Sequence, residues 1–121
     1  VFTIIDDPEF TEAVPVEVPA GAEWRRETLV TRFRALRLSD LDALDEAGGD
    51  TVTRLLDRVV VGFDDLVDES GARLDGYSEW RARLLDYPFI RTALTQAYYR
   101  ALMGARAGNS APSAGPGPKA A

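Results

Sequence analysis

Hydrophobic and polar residues alternate over the first third of the chain and then change period. Val14, Val16 and Val18 recur at every second position of Val14-Pro15-Val16-Glu17-Val18, the spacing of a strand with one buried face. Between Thr28 and Leu36, residues Leu29, Thr31, Phe33 and Ala35 share one face, and Val30, Arg32 and Arg34 share the other. Arg32 and Arg34 therefore face solvent or a partner. Phe2-Thr3-Ile4-Ile5 predicts a further short strand, closed by Asp6-Asp7-Pro8, where proline has no ladder donor and aspartate favours turns. Pro15 places its own strand at a sheet edge or at the strand's start. The three segments predict a small N-terminal antiparallel sheet.

The period then lengthens. Ser39-Asp40-Leu41-Asp42 predicts a helix start, with Ser39 as cap and the two aspartates near the positive end of the helix dipole. Gly48-Gly49 ends it. Asp50 caps a second helix, in which Val52, Leu55, Leu56, Val59 and Val60 recur at three and four and which Gly62 stops. Residues 63–77 predict an irregular connection with a turn at Asp68–Gly71, which suits the tip of a small hairpin. Ser78 caps a short helix carrying Trp80, Leu84 and Leu85. Pro88 suits the first turn of a last helix. There Phe89, Ile90, Ala93, Leu94, Ala97, Tyr98, Ala101 and Leu102 make a broad apolar face that belongs in the core. The sum is an α+β domain over residues 1–103: a small N-terminal antiparallel sheet packed against about four helices. Residues 104–121 are expected to be a flexible tail, because their Gly, Ala, Pro and Ser are too poor in apolar surface to offset chain entropy.

Charge narrows the range of partners. The tail holds two of the 14 bases and none of the 20 acids, so residues 1–103 carry 20 acids against 12 bases, a net charge of −8. Such a body repels nucleic acid and anionic membrane, so neither is an expected partner, and it suits a basic protein surface. With no Cys and no His, the usual zinc ligands and the usual neutral-pH base are missing. The longest purely aliphatic run is Val59-Val60-Val61, far short of a bilayer span. No signal-peptide pattern is present, and a soluble cytoplasmic protein is expected whose initiator Met has been removed or left out of the sequence.

Candidate chemistry is thin. Asp64, Asp65, Asp68 and Glu69 lack the spacing of an EF-hand loop and read as a solvated acidic loop. Paired carboxylates abound among 20 acids by chance alone, and acid–base work needs a pocket that separates their pKa values. No catalytic residue, cofactor or metal is expected, and no enzyme. Arg25, Arg26, Arg32, Arg34 and Arg37 make the sheet region locally basic, which suggests a face for an acidic neighbouring subunit. Tyr98 and Tyr99 point about 100° apart on a helix, so one is free to face outward while the other enters the core. Arg32, Arg34, Tyr99 and Arg100 are the candidate protein-interaction residues, with Trp24 beside them, because arginine and aromatics are enriched at interfaces.

In order, these segments resemble a known family. Phe2-Thr3-Ile4 precedes Asp7-Pro8-Glu9-Phe10 and Val14-Pro15-Val16-Glu17-Val18-Pro19. Thr31-Arg32-Phe33-Arg34-Ala35-Leu36 runs into an acidic helix. Val60-Val61-Gly62-Phe63 and Asp68-Glu69-Ser70-Gly71 lead to Leu84-Leu85-Asp86-Tyr87-Pro88-Phe89-Ile90-Arg91-Thr92-Ala93-Leu94 and Ala97-Tyr98-Tyr99. This resembles the tail assembly chaperones of long-tailed bacteriophages and prophages, over nearly all of residues 1–103. The likeness rests on the order of several short motifs, none diagnostic alone, and Gly62-Phe63 stands where the family often has Gly-Trp. The resemblance implies a non-catalytic protein of the host bacterial cytoplasm that coats the tape measure protein. It is then displaced by tail tube protein and is absent from the mature virion. It also implies self-association and, in many members, a longer frameshifted form that recruits tube protein. The lone Lys of the chain, in Gly117-Pro118-Lys119, is the proposed site of such a shift, which codons GGC-CCA-AAG would permit. The alternative reading is a small acidic regulator or inhibitor that occupies a basic, nucleic-acid-binding surface of another protein.

Overall fold

The alternation at Val14, Val16 and Val18 extends well beyond those residues. In the structure, a computed structural model that describes residues 1–104, Glu9–Ala20 forms β1 and Glu23–Arg34 forms β2. They pair antiparallel along their whole length, from Glu9 opposite Arg34 to Ala20 opposite Glu23. Leu38–Glu46 (α1) and Thr51–Val59 (α2) follow. Val60–Val67 (β3) and Arg73–Gly76 (β4) come next, then Glu79–Leu84 (α3) and Pro88–Leu102 (α4). The four strands form one antiparallel sheet in the order β1-β2-β3-β4. The expected α+β class is therefore what forms. The proposed frameshift site at Lys119 and the rest of the predicted tail beyond Gly104 lie outside the described residues.

The core sits on one face of the sheet. Val14, Val16, Leu29, Phe33 and Phe63 meet Leu55, Leu56 and Val59 of α2 and Ile90, Leu94, Ala97 and Tyr98 of α4. Thr31 is the one buried polar residue among those described, and its hydroxyl donates to the Leu29 carbonyl at 3.1 Å. Phe33 and Tyr98 rings lie 5.3 Å apart, with Phe10 5.4 Å from Phe33. The Tyr98 hydroxyl donates to the Arg34 carbonyl at 2.8 Å and accepts from the Leu36 N–H at 3.0 Å. It thereby ties α4 to the end of β2.

Burial holds the Tyr98 phenol above the ordinary tyrosine range. A raised phenol pKa means the neutral form is favoured in the fold. That contribution is complete below about pH 10 and is lost as pH climbs through the folded value. Tyr98→Phe keeps the ring contacts but orphans both backbone groups, so a loss of about 1–3 kcal/mol is expected. Urea titrations at neutral and alkaline pH check it: the variant starts less stable, and its stability falls less steeply above pH 10.

Several boundaries differ from the sequence reading. Phe2–Ile5 forms no strand; residues 1–7 run free of the sheet, with Phe2 90% and Ile4 84% exposed. Asp7 adopts a left-handed φ of 50°, and the last tie is the Ala35 N–H to the Pro8 carbonyl at 2.9 Å. Arg37, not Ser39, precedes α1, and Ser39 lies in its first turn. Asp50 does cap α2, accepting from the Thr53 hydroxyl and from the Thr53 N–H at 3.1 Å, and those two bonds hold its carboxyl below the usual range. Ser78 precedes α3 as expected, yet its hydroxyl donates to Asp75 at 3.0 Å instead of capping the helix. Pro88 opens α4 as predicted.

The largest correction concerns residues 60–77. Helix α2 stops at Val59, not Gly62, and the irregular connection is a β-hairpin, β3 and β4. Its tip is the predicted turn. There Asp68 accepts from the N–H groups of Ser70 at 2.9 Å and Ala72 at 3.0 Å and from the Ser70 hydroxyl at 2.6 Å, holding its carboxyl below the usual range. The helix passes directly into a strand because distant guanidinium groups take its last carbonyls. Arg34 donates to the Arg58 carbonyl at 3.2 Å, and Arg81 donates to those of Asp57 at 3.0 Å and Val60 at 2.9 Å.

Candidate functional site

The four residues singled out from sequence do not form one surface. Arg32 lies on the outer face of the sheet, alternating with buried Thr31 and Phe33. It pairs with Asp64 at 3.6 Å and lies 5.7 Å from the centre of the Tyr77 ring. Tyr77 covers Gly62 and donates to Asp64 at 2.8 Å; burial and that carboxylate both hold its phenol above the ordinary range. Arg34 is engaged at the end of α2. Tyr99 and Arg100 belong to α4, across the sheet. Tyr99 is half-buried edge-on to Tyr98, with ring centroids 5.7 Å apart, and Arg100 is exposed.

Nor does the arginine cluster make a free basic face. Arg25 pairs with Glu27, Arg26 with Glu17 at 3.0 Å, Arg32 with Asp64, and Arg37 with Asp40 at 3.5 Å. These are exposed pairs worth about 0–1 kcal/mol each. Four of the five positive charges are thus matched by acids within the chain, and Arg34 bonds to the Arg58 carbonyl instead.

A different place stands out. Strand β2 pairs with β3 only from Val30 to Phe33. At Asp65 the chain takes a left-handed φ of 58°, and the pairing of β3 with β4 shifts register between Phe63 and Leu66. Aspartate is among the few residues besides glycine that adopt this conformation readily, and the Asp65 carboxylate accepts from Arg73 across the hairpin at 3.4 Å. Beyond this point Glu23–Leu29 has β1 on one side and, among the described residues, no strand on the other. Alternate N–H and C=O groups along that stretch point away from β1.

Beside this free edge opens an apolar groove of about 450 Å³. Val16, Val18 and Leu29 form its floor on the hairpin. Leu66 and Val67 line the β3 side, and Leu84, Tyr87, Phe89 and Ile90 line the side of α3 and α4. Its rim is aromatic: Trp24 meets Phe89 edge-on at 6.2 Å, and Tyr87 lies 5.3 Å from Phe89. Trp24 is 62%, Val67 55% and Tyr87 50% exposed. Glu27 and Asp65 stand at its border. Comparison with protein families, curated proteins and solved structures finds no match for this chain.

The groove offers shape and apolar surface with hydrogen-bonding backbone on one side. Those are the ingredients of peptide and strand recognition. Among the described residues no group of three or more acidic side chains is arranged to hold a metal ion, and no helix is long and apolar enough to cross a membrane. Sequence reasoning picked Trp24 for an interface but missed the groove around it. The available signal was Leu66-Val67 after the Asp pair, apolar residues with no helical partner to bury them.

Proposed function

We propose that this chain is a tail assembly chaperone of a phage or prophage, which holds the tape measure protein in solution until tail tube protein displaces it. The order of short motifs suggests the family. The single structural observation that supports it is the exposed, aromatic-rimmed groove on a strongly acidic body. A holding protein must cover apolar side chains on a long helical client and then let go. A groove of this volume takes only a few such side chains, which keeps each contact weak and many contacts reversible. Net negative charge keeps closely spaced copies soluble.

The test is co-expression with the long helical reading frame next to the gene. The soluble fraction of that product is expected to rise several-fold, and the two are expected to co-purify. Val67→Asp, at an exposed wall of the groove, should abolish the gain without unfolding the chaperone. No gain in solubility and no complex with the unaltered chain would overturn the assignment.

A further inference from the structure

Residues 2–5 read as a strand in sequence, yet pair with no strand among the described residues. Val1, Phe2, Ile4 and Ile5 are all exposed, in a β-prone run that alternates around Thr3. At the far end of the β1–β2 hairpin, Glu23–Leu29 is a strand edge without a neighbour among the described residues, set beside an apolar groove. One feature is an apolar, strand-prone segment; the other is an open place for a strand.

The two cannot meet within one molecule. Pro8 is held against Ala35, at the opposite end of the hairpin from the groove. Ile4 reaches at most about 14 Å from Pro8 even when fully extended. Leu29, the near end of the free edge, stands opposite Val14, six residues up β1 and about 20 Å away, so the segment cannot seat Ile4 in its own groove. The outer edge of β1 is a poor alternative acceptor, because Pro15 and Pro19 each lack an N–H.

We propose that residues Phe2–Ile5 of a second copy of this chain add as a strand to the free edge of β2, seating Phe2 and Ile4 in the groove. The strand supplies backbone hydrogen bonds to the Glu23–Leu29 edge, and alternate side chains fill the space lined by Leu29, Leu66 and Phe89. Its Asp6-Asp7 continuation stays in water. The contact joins two different surfaces of the two copies, so it propagates unless a reciprocal exchange closes it. It shares the groove with the chaperone reading and regulates that site: a client must displace a neighbour's strand to enter. Self-association needs no client, so its failure is distinct from failure of the client assignment.

Sedimentation of the full chain alone, from micromolar to millimolar concentration, tests it. The weight-average mass is expected to rise above the 13.2 kDa of one chain. Amide exchange at Phe2–Ile5 and Glu23–Leu29 should slow by about tenfold or more as the assembly forms. Phe2→Asp with Ile4→Asp changes only exposed side chains and should leave a folded monomer at every concentration. Val67→Asp should do the same from the groove side. In the client assay the two variants part: the strand double variant keeps its effect on client solubility, and Val67→Asp loses it. A wild-type chain that stays monomeric to millimolar concentration, or a double variant that associates as the wild type does, would overturn the proposal.

Discussion

Phe33→Ala is expected to lower the free energy of unfolding by about 3–5 kcal/mol, most of what a domain of this size possesses. Phe33 is fully buried at the point where β2, β1 and α4 converge. Its ring is within 5.4 Å of Phe10 and 5.3 Å of Tyr98, and Val60 lies opposite it on β3. Truncation loses the transfer free energy of the ring and leaves a cavity between a sheet and a helix, which cannot close without unpairing strands. It also removes the wall that positions the Tyr98 hydroxyl. The midpoint of urea unfolding, followed by far-ultraviolet circular dichroism, reads the loss. Arg26→Ala, an exposed change on the same strand, serves as control and should stay within about 0.5 kcal/mol of the parent. A Phe33→Ala protein that unfolds at the parental midpoint would remove the core described above.

Gly76→Ala should cost about 2 kcal/mol or more, despite adding only a methyl group. The residue has ordinary backbone angles, so conformational freedom is not the reason. A Cβ there would lie 2.1 Å from the Phe63 carbonyl oxygen and 2.9 Å from the Phe63 side chain. Phe63 is buried and pairs directly with Gly76, so neither side can move without opening β3 from β4. Gly62 provides the comparison. An added Cβ there meets the Tyr77 ring at 2.3 Å, but Tyr77 is 38% exposed and can swing away, at the loss of its bond to Asp64. Gly62→Ala is therefore expected to be the milder change. Equal midpoints for Gly76→Ala and the parent would show that the hairpin gives way where the present packing says it cannot.

The elements legible in sequence are those whose partners lie close along the chain. Strands β1 and β2 alternate cleanly because each buries one face and the turn between them is local. Helix α4 announced itself by its apolar stripe and by Pro88. Helix α2 announced its start by Asp50, which bonds three residues ahead. Its end was misplaced because no glycine or proline marks it. The run Val59-Val60-Val61 satisfies both helix and strand, and guanidinium groups from Arg34 and Arg81 decide between them. Those side chains come from positions more than twenty residues away. Strand β3 was missed because Asp64-Asp65 interrupts its alternation, and the left-handed turn at Asp65 has no sequence mark beyond an aspartate.

The candidate site divides in the same way. Sequence alone determined an acidic α+β chain without cysteine or histidine, two amphipathic strands, and a core-facing last helix. Those follow from composition and from periods of two and of about 3.6 residues, which need no knowledge of distant neighbours. Only the tertiary structure decided that Arg32 and Arg34 are spent on Asp64 and on the end of α2. It alone left residues 1–7 outside the sheet and drew β3 away from β2 to open a groove. Each of those outcomes depends on which backbone groups remain unpaired once the strands have met, and that is settled by packing across the whole molecule.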